Sequence, residues 1–299
     1  MTTKSVKHAL IMPPGLLGDN VQDMVDYGVV AEESGWDGYF PYDVMVFPPP
    51  PDKAEAPWVS EEGAWTAPEY RPFPDPWIVL AGVAARTNSI KLGTWITPLP
   101  RRQPWQVARD IATLDRMSNG RVIFGAGLGK RADYEKFGIQ FDPKTIAEKY
   151  DESLEIISQL WAGERVTFAG KHYQLDDVAI LPTPSQTPRP PIMIGGFWPN
   201  KKPFQRGAKW DGIMPVFGME SGNTNTSAEL VKEMLGWYHS ITDDPGEIFL
   251  PAAPDDGIDP PEGWVNLCQE YGATWLYTYP TREWLEDMEG RIRQGPPTH

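Results

Sequence analysis

What most constrains this chain is an alternation. Short apolar runs and amphipathic helical stretches follow one another almost from end to end. The first strand candidate is Lys7 to Met12, and a helix from about Asn20 to Ser34 follows it. That helix sets Val21, Met24, Val25 and Gly28 on one face, with Gly35 where a C-terminal cap belongs. A short strand comes at Gly38 to Pro41. After a long loop, Pro76 to Thr87 reads as helix, Ile90 to Thr97 as strand, Pro104 to Ser118 as helix and Val122 to Gly127 as strand. Lys144 to Trp161 is the clearest helix, because Ile146, Tyr150, Leu154, Ile157 and Leu160 share one stripe. Residues 164–190 break the rhythm: "RVTFAGKHYQL" reads as a hairpin around Ala169-Gly170, followed by a proline-rich linker. The pattern resumes with strand Pro191 to Gly196, helix Asn200 to Lys209 and strand Gly212 to Pro215. The helix Ser227 to His239 opens with the capping box Thr226-x-x-Glu229. Weaker signals place a strand at Glu247 to Pro251, a helix at Pro261 to Tyr271, a strand at Thr274 to Tyr279 and a helix at Arg282 to Arg293.

Strands separated by helices pair in parallel, since a parallel pair needs a crossover connection. Eight such units predict an α/β fold closed into a (β/α)8 TIM barrel, with a long loop after strand 2 and a hairpin excursion before strand 5. The alternative, an open doubly wound sheet, calls for a glycine-rich turn after its first strand, and "IMPPGLLGDN" does not match GxGxxG. A length of 299 residues allows two domains, but barrels often reach that size as one. The expected organisation is a single domain over 1–299 with a lid insertion at 44–75 and the excursion at 164–190.

Composition bounds the function. Lys and Arg total 27 against 41 Asp and Glu, a formal net charge of −14, which argues against nucleic acid or an anionic membrane as partner. No apolar run approaches the ~20 residues that cross a bilayer, and "MTTKSVKHAL" lacks the apolar stretch of a signal peptide, so a cytoplasmic protein is expected. The lone Cys268 excludes an internal disulfide framework and reads as an inert core thiol. His8, His172, His239 and His299 show no HxH or HxxxH spacing, so no metal is expected. The nucleophile elbow G-x-S-x-G is absent. A glycosidase needs paired carboxylates at strand ends, and the fourth strand ends in glycines.

Barrel chemistry sits in the loops after the strands. After the fifth strand, "PIMIGGFWPNKKPF" brings Gly195, Gly196, Phe197, Trp198 and Asn200 to a helix start carrying Lys201 and Lys202. Cations there oppose the helix dipole, which makes sense if an anion binds nearby; two solvent-facing lysines are the alternative. After the fourth strand, "VIFGAGLGKR" places Gly127, Leu128 and Gly129 where a flat group or phosphate could approach, although tight packing explains the glycines equally well. Lys130 and Arg131 add local positive charge. After the third strand, Trp95 could stack on a ring system or pack in the core. After the second, Asp43 is either a proton-handling carboxylate or a loop cap. The stretch Val44 to Asp75 carries Phe47, Trp58, Trp65, Tyr70 and Phe73 among prolines and reads as a semi-rigid aromatic lid.

Five segments together resemble the bacterial luciferase-like flavin-dependent oxidoreductases, the luciferase-like monooxygenases. They are "AEESGWDGYF" (31–40), "GTWITPLPRRQPW" (93–105), "ARDIATLDRMSNGRVIFGAGLG" (108–129), "PPIMIGGFWPN" (190–200) and "RIRQGPP" (291–297). The resemblance implies FMN or the deazaflavin coenzyme F420 as cofactor, a small-molecule substrate and a homodimer. It implies that Asp43 and the segment Thr94, Trp95, Ile96 and Thr97 border the ring, with a non-proline cis peptide near Thr94–Trp95. By the same likeness Gly127, Leu128 and Gly129 lie near the cofactor's side chain. The phosphate then falls to Gly195, Gly196 and the residues after them, while Val44, Phe47, Trp58 and Trp65 fall to the substrate and lid. Two positions depart from the family pattern: Val44 stands where many relatives carry His, and Lys130 where the F420-dependent sugar dehydrogenases carry Glu. The expected function is a flavin- or deazaflavin-dependent oxidoreductase or monooxygenase acting on a small, fairly apolar or aromatic compound. The alternatives are a flavin-binding protein of the same fold with little turnover, and a cofactor-free barrel hydrolase.

Overall fold

A computed structural model describes residues 6–12, 20–45, 74–217, 226–253, 262–280, 284 and 286–297. Its first half runs β1 (Lys7–Met12), α1 (Val21–Glu33), β2 (Gly38–Pro41), α2 (Pro76–Arg86), β3 (Lys91–Gly93), β4 (Thr97–Pro98), a 3-10 turn (Leu99–Arg101), α3 (Pro104–Met117) and β5 (Val122–Gly127). Then come α4 (Ala132–Glu135), α5 (Pro143–Trp161), the hairpin β6 (Val166–Ala169) and β7 (Gln174–Val178), and β8 (Ile192–Phe197). The chain continues through α6 (Lys201–Gly207), β9 (Gly212–Val216), α7 (Ala228–His239), β10 (Glu247–Pro251), α8 (Trp264–Glu270), β11 (Trp275–Thr278) and α9 (Met288–Arg293).

The strands pair in the order β3-β2-β1-β11-β10-β9-β8-β5, and β3 pairs with β5 to close the ring. Every pair in the ring is parallel. The result is the expected (β/α)8 barrel, with β3 and β4 as two pieces of one strand position: β3 pairs with the first half of β5 and β4 with its second half. The hairpin β6–β7 stands outside the ring before β8, as its sequence predicts.

Inward-facing side chains fill the barrel. Phe40, Trp95, Phe249, Trp275 and Tyr277 form an aromatic core with Ile11, Ile123, Met193 and Met214. Phe249 and Trp275 stack with centroids 5.0 Å apart and planes 3° from parallel. Each such side chain contributes roughly 1.5–3 kcal/mol of burial, so the interior is a packed plug and leaves ligands to the mouth. Outside the ring the helices lay their stripes on the strands; Ile146, Tyr150, Leu154, Ile157 and Leu160 of α5 are all buried.

Several local expectations shift. Val21 begins α1 but is exposed, so the buried face starts at Met24. The N-cap of α7 is Ser227, whose hydroxyl accepts the Leu230 N–H, and not the Thr226 of the predicted box. The predicted strand Ile90 to Thr97 is interrupted at residues 94–96, where the peptide Trp95–Ile96 is cis; the bond lies one residue beyond the expected place. Cys268 is fully buried on α8, and burial pushes its thiol up to about 12.

Candidate active site

The C-terminal ends of the parallel strands share one end of the barrel, and a cavity of about 200 Å³ opens there. Tyr42, Asp43 and Val44, which follow β2, line one side with Trp95, Ile96 and Pro98 from the broken strand. Leu128, Gly129 and Lys130 after β5 line the other, beside Ile194, Gly195, Gly196 and Phe197 of β8. Asp133, Tyr150, Asn200, Pro203 and Arg206 reach it from the helices, and Val216 from β9.

The broken strand explains the glycines. A Cβ on Gly125, Gly127 or Gly195 would collide with Ile96, in the last case with its Cδ1. Bare backbone on β5 and β8 therefore makes room for Ile96, which then presents apolar surface to the cavity. Thr94 and Thr97 flank the break and are wholly buried, their hydroxyls 2.8 Å apart. They hold the wall and do not line it. Trp95 packs in the core as weighed, its ring centroid 4.6 Å from that of Tyr277, and it also lines the cavity.

Asp43 meets a buried ionic corner. Arg101 binds its carboxylate, and Arg102 contributes further hydrogen bonds at 3.1 and 3.0 Å. Asp43 is 2% exposed and Arg101 7%. Arg101 also lies 3.6 Å from Asp133, and Asp133 accepts the Met45 N–H at 3.1 Å. The same Arg102 nitrogen reaches Asp75 at 3.1 Å, whose carboxylate caps α2. Two guanidiniums occupy the Asp43 carboxylate, which makes it a hydrogen-bond anchor of this corner.

The opposite wall carries cations aimed differently. Arg206 of α6 pairs with Asp151 at 2.6 and 3.1 Å and sits 5.6 Å from the Tyr150 ring centroid. It is thus held in place while still lining the cavity. Lys130 lines it too; burial lowers its pKa and the Asp133 carboxylate raises it. Lys201 and Lys202 are exposed and outside the lining, with the Lys201 ammonium 5.2 Å from the Trp237 ring. Trp198 is buried among Phe204 and Trp237, also away from the cavity. Asn200 lines the cavity and caps α6. Phe47, Trp58 and Trp65 lie outside the described residues.

Sequence reasoning missed Arg101, Arg102, Asp133 and Arg206. The adjacent arginines right after a strand, in a chain of net −14, were the available signal for the ionic corner. Nothing local distinguishes Arg206 from a surface residue. Among the described residues, no group of three His, Cys, Asp or Glu could hold a metal ion, and no helix is long and apolar enough to cross a membrane.

A parallel barrel with an apolar, cation-edged cavity at its C-terminal mouth defines a class of small-molecule site. The chain belongs to the luciferase-like monooxygenase family, whose model matches residues 5–234. It is 34% identical over 179 residues to the F420-dependent glucose-6-phosphate dehydrogenase of Microbacterium testaceum, a stretch covering 59% of this chain and 47% of that protein. It is 33% identical over 147 residues to the F420-dependent hydroxymycolic acid dehydrogenase of Mycobacterium tuberculosis, covering 46% of this chain and 40% of that one. The matched region thus spans about half the length of these curated relatives or less. Among solved structures it resembles the coenzyme F420-dependent tetrahydromethanopterin reductase of Methanopyrus kandleri, with a TM-score of 0.68, 17% identity and 97% of each chain covered. At that identity the likeness is one of fold.

Proposed function

We propose that this chain is an oxidoreductase that binds coenzyme F420, or alternatively FMN, in the mouth cavity and acts on a small organic substrate. The observation that carries this reading is the two-sided make-up of the cavity. An apolar wall of Trp95, Ile96 and Val216 suits a flat ring system, and a pre-positioned Arg206 beside Asn200 suits an anionic tail. The residues present therefore fit the group by their chemistry. F420 is preferred because both sequence relatives described above are F420-dependent.

When bound, such a cofactor supplies or accepts a hydride, or in the FMN case delivers reduced flavin for reaction with oxygen. The chain's own residues do the rest. Trp95 and Ile96 would hold the ring, with Leu128 and Gly129 beside its side chain. Arg206 and Asn200 would hold the phosphate, and Gly195 and Gly196 belong to the same wall. Asp43, fixed by its arginines, sets the position of Val44, which we assign to the substrate side. In the same reading the enzyme is a cytoplasmic homodimer of one domain with no nucleic-acid partner, supported by its acidity and by the family it belongs to.

Absorbance titration with F420 and FMN tests the core of this. Saturable binding of one of them at micromolar concentrations is expected; binding of neither would overturn it.

A further inference from the structure

Residues 162–191 join α5 to β8, where such connections usually take ~2–6 residues. α5 ends and β8 begins at the base of the barrel, so topology gives this connection no need to approach the mouth. Its second half stays low. Asp115, near the end of α3, accepts the Ser185 and Gln186 N–H groups at 2.7 and 3.0 Å, and Arg116 donates to the Thr183 carbonyl at 3.1 Å. The hairpin β6–β7 instead carries its turn toward the mouth, between α5 and the start of α3. Glu152 of α5 grips that turn, accepting the N–H groups of Lys171, His172 and Tyr173 at 2.8, 3.0 and 3.0 Å. One helical turn earlier, Glu148 accepts the Lys171 ammonium at 2.6 Å and lies 2.8 Å from the His172 Nε2. On its other side the Tyr173 ring meets Trp105 edge-on, centroids 6.1 Å apart, just after the two arginines of the ionic corner.

Between those two glutamates α5 carries the residues that hold Arg206. Asp151 binds the Nε and Nη2 edge of the guanidinium, and the Tyr150 ring centroid stands 5.6 Å from it. The place of the guanidinium therefore follows the rotation of α5 about its own axis. The apolar stripe of α5 fixes that rotation from the barrel side, and the hairpin turn grips the helix from outside.

We propose that the hairpin excursion is a brace for the cofactor wall, and that Glu152 is its positioning residue, acting through α5 on the Arg206 guanidinium. This rests on the function proposed above, in which Arg206 holds the cofactor's phosphate. Glu152 touches neither ligand nor cavity; it fixes the helix whose next-door residues aim the cation. The excursion thereby gains a task that its place in the topology does not demand.

The test compares wild type, E152A, E152Q, R206A and E152A/R206A in two measurements. One is titration with F420 or FMN, whichever the wild type binds. The other is 15N–1H NMR of the arginine Nε–H groups in the cofactor-free protein, with the Arg206 signal assigned by its absence from R206A. We expect E152A to weaken cofactor binding roughly 3- to 10-fold, yet to add less than about twofold to the loss in R206A, as coupled positions do. E152Q keeps one acceptor oxygen for the turn and should fall between wild type and E152A. In the spectra the Arg206 signal should shift or broaden in E152A, while that of Arg121, bound to the Ser118 carbonyl at the barrel base, stays in place. Three results would overturn the brace: an E152A affinity equal to wild type, an equal loss in the R206A background, or an unmoved Arg206 signal. Should E152A fail to fold, E152Q is judged by the same three criteria. Failure of the wild type to bind either cofactor would instead remove the function proposed above, and the Arg206 signal would still decide the brace.

Discussion

Two charged regions border the same cavity and use their charge in opposite ways. On the β2–β4 side, Asp43, Arg101, Arg102 and Asp133 pair with one another in a largely buried corner. On the β5–β8 side, Arg206 takes its carboxylate from Asp151, whose side chain is 55% exposed, and so keeps its place at the cavity wall. The difference lies in where the counter-charge stands. A partner inside the corner turns charge into architecture, whereas a partner on the solvent side leaves the cation facing the ligand space.

The sharpest way to break this contrast is Asp43→Ala. It leaves Arg101 in the interior with Asp133, 3.6 Å away, in place of its direct partner, and removing one member of a buried pair costs about 3–5 kcal/mol. Urea unfolding should record that loss, while Arg206→Ala, with an exposed partner, should cost less than ~1 kcal/mol. Equal losses would erase the distinction. Cofactor affinity should rank the two regions by another measure. Arg206→Ala removes a charge-assisted contact of about 1.5–3 kcal/mol, a loss of roughly 10- to 100-fold in affinity by calorimetry; an unchanged affinity would assign Arg206 to structure as well. Gly195→Ala probes the wall between the regions. Its new methyl meets Ile96 Cδ1, and we expect ~1–3 kcal/mol of destabilisation, read as a lowered Tm with weaker cofactor binding. The smallest effect belongs to the double change Lys201→Glu and Lys202→Glu, expected within ~0.5 kcal/mol of wild type in stability and within about threefold in affinity. A larger loss would return the phosphate to that lysine pair.

The sequence made the barrel legible because each strand must be apolar on both faces and each helix on one stripe. The runs Lys7 to Met12, Gly38 to Pro41 and Val122 to Gly127 emerge residue for residue. The third strand does not, because "GTWIT" has the composition of an unbroken strand, and the break depends on glycines of β5 and β8 contributing no side chain. Of the two readings of the fourth-strand glycines, ligand approach and tight packing, Ile96 supplies the packing at Gly127. The ionic corner was illegible for a different reason: Asp43 and Arg102 are 59 residues apart, and a pairing at that separation leaves no local periodicity. Asp43 was identified as a rim carboxylate; what it binds could be learned only in three dimensions.

Arg102 holds Asp43 on one side and Asp75 on the other, the residues between which the longest insertion departs and returns. With both ends gathered at a single point, the entropy of closing that insertion is set by the clip, and doubling its length adds only about 0.6 kcal/mol. The barrel thereby gains a socket: the intervening segment can be shortened, lengthened or exchanged for another while the strands beneath keep their register.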